Sequence, residues 1–195
     1  MIVVLTPCAP SEWRAEGRLL GRVELSISAD APERLDQWAA MLRSLPIARI
    51  YHGPDELSTL TARELGKRTR FGVRKLAGLA AVDVGLWAGL SDAELEIRFE
   101  STYHELLDAP LNVTPPQGEN LGDAAERLAA ALQRATRGVR DGEGVAIVLR
   151  PLALALLRQR MTGAAEARVW ESLGEADEPV IVEIQPAASS RRAKS

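Results

Sequence analysis

The chain has 195 residues, of which 46% are apolar and 26% charged, proportions that exclude a collagen-like, prion-like or wholly disordered protein. Twenty-four Lys and Arg against 27 Asp and Glu leave a net charge of −3. No global basic field draws such a chain to nucleic acid or acidic membranes, so any anion site has to be local. The single cysteine, Cys8, excludes an intrachain disulfide and fits a reducing compartment. Met1 to Leu5 is apolar but has no basic stretch before it and no small-residue cleavage site after it. The longest Leu/Ala-rich run, Leu152 to Leu157, falls far short of the roughly 20 residues that cross a bilayer. The expectation is a cytoplasmic, non-membrane protein.

Ile2-Val3-Val4-Leu5 is a β-branched run ended by Pro7 and Pro10, which predicts a strand buried on both faces that runs into a loop carrying Cys8. After Ser28 or Asp30, Leu35, Trp38, Ala39 and Leu42 recur at helical spacing, and Pro46 stops the helix. Ile47 to Tyr51 predicts a second buried strand, His52-Gly53-Pro54 a turn, and Leu57, Leu60, Thr61 and Leu65 a helix running towards Lys67. Ser91 and Glu94 form a capping box that opens a helix continuing to about Leu107. Pro110, Pro115, Pro116 and Gly118 make a loop, and Asn120 caps a long helix with a stripe of Leu121, Ala124, Ala125, Leu128, Leu132 and Ala135. Gly138 to Gly144 terminates that helix. Val145 to Leu149 is the clearest strand, with Pro151 suited to the first turn of the helix behind it. Val180 to Ile184 predicts a last strand.

The βαβα rhythm argues an α/β fold, a three-layer sandwich whose mostly parallel sheet is flanked by helices. Residues 1–185 form one domain, and Pro186 to Ser195, with three basic residues and three serines, form a flexible basic tail. In such a fold the chemistry lies at the carboxyl ends of the strands, which directs attention to the residues just after Leu5, Tyr51 and Leu149.

Six segments in order resemble the histidine phosphatase superfamily, the phosphoglycerate mutase-like proteins. Leu5-Thr6-Pro7-Cys8-Ala9-Pro10-Ser11-Glu12-Trp13 stands where the family reads Leu-Val-Arg-His-Gly-Glu-Thr-x-Trp. Gly17-Arg18-Leu19-Leu20-Gly21 is similar to its Gly-Arg-x-x-Gly, Tyr51 to Ala62 to its second strand and helix, and Asp83 to Leu90 to its Asp-Phe-Gly-x-Trp-x-Gly-Leu. Pro116-Gln117-Gly118-Glu119 resembles Pro-Gly-Gly-Glu, and Val145 to Arg150 the late strand. The resemblance implies the family fold, in which a histidine attacks a phosphoryl group, two arginines and a second histidine hold its oxygens, and a carboxylate protonates the leaving group.

On that frame the five chemical positions fall on Pro7, Cys8, Leu57, Ala81 and Arg150. Proline and leucine donate no hydrogen bond to a phosphoryl oxygen and alanine transfers no proton, so the resemblance implies a degenerate member without catalytic residues. The two histidines, His52 and His104, fall on neither histidine position and read as a polar turn residue and a helix-surface residue. The alternative is a cysteine phosphatase, because Cys8 and Arg14 fit Cys-x5-Arg directly behind a strand. Against it, Pro10 removes an amide donor and Glu12 brings negative charge to the loop. Arg150, next to the first turn of a helix, either holds a phosphate or carboxylate together with Arg14 and Arg18 or pairs with a nearby carboxylate and plugs the vacated pocket. No nucleotide loop or metal-ligand spacing occurs, so neither a cofactor nor a metal is implied. The expected partners are a phosphate or phosphorylated ligand, a protein partner or a second copy of the chain.

Overall fold

The structure is a computed structural model that describes residues 1–173 and 177–184; the tail expected from Pro186 onwards lies outside the described residues. In chain order the elements are β1 (Ile2–Pro7), α1 (Glu12–Ala15), α2 (Ala31–Arg43), β2 (Ile47–His52), α3 (Glu56–Thr69) and β3 (Gly72–Lys75). They continue with α4 (Asp92–Arg98), α5 (Glu100–Asp108), α6 (Leu121–Thr136), β4 (Gly144–Leu149), α7 (Pro151–Thr162), α8 (Arg168–Glu171) and β5 (Val180–Glu183).

The strands lie in the order β3-β2-β4-β1-β5, the first four parallel and β5 antiparallel on β1. Side chains of a strand alternate between faces, so a strand covered on both sides must be apolar throughout. In β1, Val3 and Leu5 join one core cluster and Val4 the other; in β4, Val145, Ile147 and Leu149 oppose Ala146 and Val148 in the same way. α2 and α3 pack together over the Val4 and Val148 face, while α6 and α7 cover the other. The sandwich expected from the βαβα rhythm is therefore present.

Local sequence accounts for most of the boundaries. Asp55 caps α3 by accepting a hydrogen bond from the Ser58 amide at 3.0 Å, and Asn120 caps α6 through the Asp123 amide at 3.1 Å. The Ser91–Glu94 capping box is formed in both directions. Pro151 occupies the first turn of α7, where its missing N–H has no helical acceptor to lose. Each leucine that the α6 stripe buries completely, such as Leu121 or Leu128, contributes roughly 2 kcal/mol of transfer free energy.

Three expectations need correction. The helix expected from Ser91 to about Leu107 is two helices, because Phe99, at φ −137° and ψ 41°, leaves the helical region between α4 and α5. His52 does not belong to the turn: it is the last residue of β2 and is 5% exposed. β3 was not anticipated; Gly72-Val73-Arg74-Lys75 is a polar edge strand with one apolar residue and no period to betray it.

Gly85 ties the motif around Trp87 to the later Pro-Gln-Gly-Glu loop. Its φ is +49°, and a Cβ there would lie 2.1 Å from the Pro116 carbonyl oxygen. Only glycine allows those two backbones to approach so closely.

Candidate functional site

The carboxyl ends of β1 and β4 lie side by side, with Pro7 paired to Leu149 in the parallel register. The Cys8 amide donates to the Leu149 carbonyl at 3.0 Å, which brings Cys8 next to the start of the turn that carries Arg150. The α3 N-terminus closes the third side. Cys8 Sγ lies 3.2 Å from Ser58 Oγ, and the Ala9 amide donates to Thr61 Oγ1 at 2.9 Å. Leu57 is fully buried in the same cluster as Cys8 and Ala9. Pro7, Cys8, Leu57 and Arg150 thus converge at one corner of the sheet. Ala81 is buried on the neighbouring segment, whose next residue, Val82, borders the same cavity as Arg150.

Two features bear on Cys8 as a nucleophile. Burial, reinforced by the negative charge of Asp55, pushes its thiol up to about 12, against weaker opposing effects of the Ser58 hydrogen bond and of Arg150. At neutral pH it is a thiol. Two of the amides that would cradle a phosphate are also not available: that of Ala9 is bonded to Thr61, and Pro10 has none. Arg14 borders the same cavity of about 140 Å³ as Cys8, yet its Nε donates to Asp177 at 2.7 Å and another of its nitrogens donates to the Leu173 carbonyl.

Arg150 is 2% exposed and its Nε donates to Asp55 Oδ1 at 3.0 Å. Among the described residues its Nη1 and Nη2 have no hydrogen-bond partner, and neither has Asp55 Oδ2; all three atoms are sealed from solvent. Leaving a buried donor unpaired costs about 1–3 kcal/mol, more when it is charged. Arg150 borders a cavity of about 440 Å³ between the Gly17–Gly21 segment, Val82, Val84, α5, the start of α7 and α8. On its wall the Asp92 carboxylate accepts from Tyr103 Oη at 2.7 Å and from Trp170 Nε1 at 2.8 Å. The Tyr103 hydroxyl is pushed up to about 12, first by that hydrogen bond and then by burial, and remains a donor.

Of the other expected anion ligands, Arg18 also borders the larger cavity. Its guanidinium is held by Glu16 at 2.7 Å, the Gly89 carbonyl at 2.7 Å and Glu94 at 3.2 Å. Asp55 and Ser58 were not singled out from the sequence, although an acidic residue ahead of the Leu57 helix carries an N-cap signal. Neither histidine borders either cavity. His52 Nδ1 donates to the Gly53 carbonyl at 2.6 Å, and burial lowers its pKa from the usual value. Among the described residues no group of His, Cys, Asp and Glu could hold a metal ion, and no helix is long and apolar enough to cross a membrane.

A family profile described as histidine phosphatase superfamily (branch 1) matches residues 8–189. Phosphoserine phosphatase 1 of Hydrogenobacter thermophilus is 22% identical over 168 residues, covering 86% of this chain and 79% of that protein. Among solved structures, Bacillus stearothermophilus YhfR superposes with a TM-score of 0.75 at 20% identity, over 87% of this chain and 83% of its own. A mycobacterial glucosyl-3-phosphoglycerate phosphatase solved with VO3 gives a TM-score of 0.72 at 20% identity, over 86% and 83%. At these identities the superpositions establish the fold alone.

Proposed function

The chain belongs to the histidine phosphatase superfamily, branch 1, and on that premise we propose that it is a non-catalytic member that binds a small anion at Arg150. The observation that carries this reading is the buried guanidinium of Arg150, whose two terminal nitrogens have no partner among the described residues, on a residue that borders a cavity of about 440 Å³. A guanidinium without a second partner is a hydrogen-bond donor for a carboxylate or phosphate oxygen.

The loss of turnover follows from residue chemistry. Pro7, Leu57 and Ala81 offer no charge to a transferring phosphoryl group and no proton to its leaving group. Cys8, at the attacking position, is held as a thiol by burial. Losing even one stabilising donor commonly costs on the order of a hundredfold in rate, and here several are replaced together.

Two measurements test this. The purified protein is expected to leave p-nitrophenyl phosphate intact and to form no phosphohistidine. Turnover abolished by Cys8→Ser would establish the cysteine mechanism instead, and turnover indifferent to that change would require an unforeseen catalyst. Inorganic phosphate or a simple carboxylate is expected to raise the melting temperature of the wild type but not of Arg150→Ala. If no anion does so, the anion-binding reading fails and a role in holding a protein partner becomes the better account.

A further inference from the structure

The net charge of −3 hides an uneven distribution. Residues 43–75 hold eight Lys and Arg against three Asp and Glu, which leaves the rest of the chain at −8. Residues 92–108 hold six Asp and Glu against Arg98 alone. The basic stretch runs from the end of α2 through β2 and α3 to β3, an edge strand of the sheet, and the acidic stretch is α4 and α5.

The fold gathers the basic residues around the β3 edge. Tyr51 lies in the core that α6 covers and is paired with Arg74, so Arg49 and Arg74 share that face of the sheet. On the same side a Cβ at Gly78 would come within 2.9 Å of Ala131, and Arg134 follows one turn later on that face of α6. On the opposite side a Cβ at Gly66 would lie 2.5 Å from Val73, which sets the α3 face carrying Arg63 over β3. Arg70 ends α3 and leads directly into the strand. After burial, the charges of Arg63 and Lys75 also lower the His52 pKa, so both lie near the end of β2. Arg49, Arg63, Arg70, Arg74, Lys75 and Arg134 form no ion pair among the described residues, whereas Lys67 and Arg68 are held by Glu64.

The acidic face is built in the same way. Glu96, Glu100, Glu105 and Asp108 are exposed and form no ion pair among the described residues. Beside Glu96, Ile97 is 82% exposed, the most open large apolar side chain among the described residues. Leu60, on α3 one turn before Arg63, is exposed as well. Apolar side chains ringed by charge are the makeup of a protein interface. α5 packs on α8, and two strands separate β3 from the β1 strand that α7 covers, so a copy does not neutralise its own edge. Nucleic acid or an anionic membrane would be repelled by the charge of −8 outside the basic stretch and would give Ile97 no apolar cover. We infer that the protein self-associates head to tail, the basic β3 edge of one copy seating on the acidic α4–α5 face of the next. Because the two faces differ, each assembly keeps a free face at either end and grows with concentration unless it closes into a ring.

Sedimentation of the full chain over a concentration series reaching the millimolar range tests this at pH 7.5. In about 0.05 M salt the mean mass should rise above that of a monomer. In about 1 M salt, where the screening length falls to about 3 Å, it should return to the monomer. Arg63→Glu with Arg74→Glu reverses the basic edge, and Glu96→Lys with Glu105→Lys reverses the acidic face. Each double variant should weaken self-association by at least about tenfold while circular dichroism stays unchanged. An equimolar mixture of the two should associate again, because the intact acidic face of one meets the intact basic edge of the other. A wild type that stays monomeric in low salt overturns the inference without recourse to any variant. Association that persists in 1 M salt or in both double variants places the contact on another surface and overturns it too. Failure of the mixture to associate shows that the two faces do not meet, and has the same force.

Discussion

Cys8 shows how burial changes the meaning of a reactive side chain. Its unfolded thiol ionises near pH 8.5, while the folded one does so at about 12. Between those values the folded state holds the proton that the unfolded state has released, so stability is intact below about pH 8.5 and falls as pH rises towards 12. Melting curves are expected to decline above about pH 8.5, and less steeply in Cys8→Ala. Alkylation of native Cys8 at pH 7.5 should run at least about a hundredfold slower than that of free cysteine, because both its thiolate fraction and its access are low. His52 has the opposite sign. Burial lowers its pKa, so its contribution is present above the ordinary histidine pKa of about 6.5 and is lost as pH falls below it. A melting temperature that stays flat from pH 7 to pH 5 in wild type, yet drops in His52→Asn, would contradict that assignment. The replacements at Pro7, Cys8, Leu57 and Ala81 can be read from sequence because the motif frame aligns them; the buried state of His52 cannot, because it depends on what packs over the end of β2.

At the level of elements, α3 and the turn into α7 are bound to each other through one carboxylate. Asp55 caps α3 and also holds Arg150. Removing an ordinary cap costs about 1 kcal/mol, whereas stranding a buried charge costs about 3–5 kcal/mol. Asp55→Asn retains an acceptor for the Ser58 amide but not the charge, and is expected to lower stability by more than a cap alone, as read by denaturant unfolding. Adding Arg150→Met should recover most of the loss, since the stranded cation is then gone. The same contrast explains what the sequence revealed. Strong stripes and local caps, as in α2, α6 and the Ser91 box, announce themselves within a few residues. β3 has one apolar residue in four and is recruited by β2, while the break at Phe99 interrupts a pattern that local spacing alone would have continued. The Asp55–Arg150 pair joins positions 95 residues apart in the chain, and no local pattern encodes such a partner.

Across the whole molecule, the layered α/β architecture follows from a few buried strands and the helices between them and was the most legible level, whereas the strand order, which includes β3, was not read from the sequence. The candidate site was legible only as positions aligned on the motif frame. Its actual geometry depends on the segment at Asp177 and Glu178, which reaches back to Arg14 at 2.7 Å and Trp38 at 2.8 Å. If the chain is non-catalytic, as proposed, conferring phosphatase chemistry on it should need more than one substitution. Cys8→His alone is expected to give no measurable hydrolysis of p-nitrophenyl phosphate, because the positions at Pro7 and Leu57 would still supply no charge. Measurable hydrolysis by that variant would mean that Arg150 and its surroundings stabilise the transition state unaided.

The contact of Gly85 with the Pro116 carbonyl has a consequence for how this protein can diversify. It fixes the frame beside Val82 and Val84 through main-chain atoms, leaving those side chains, and Leu107 opposite, outside the joint. Leu107, half-buried, can be exchanged to recontour the chamber without reopening the architecture, whereas Val82 and Val84 are packed into the core and hold its floor in place.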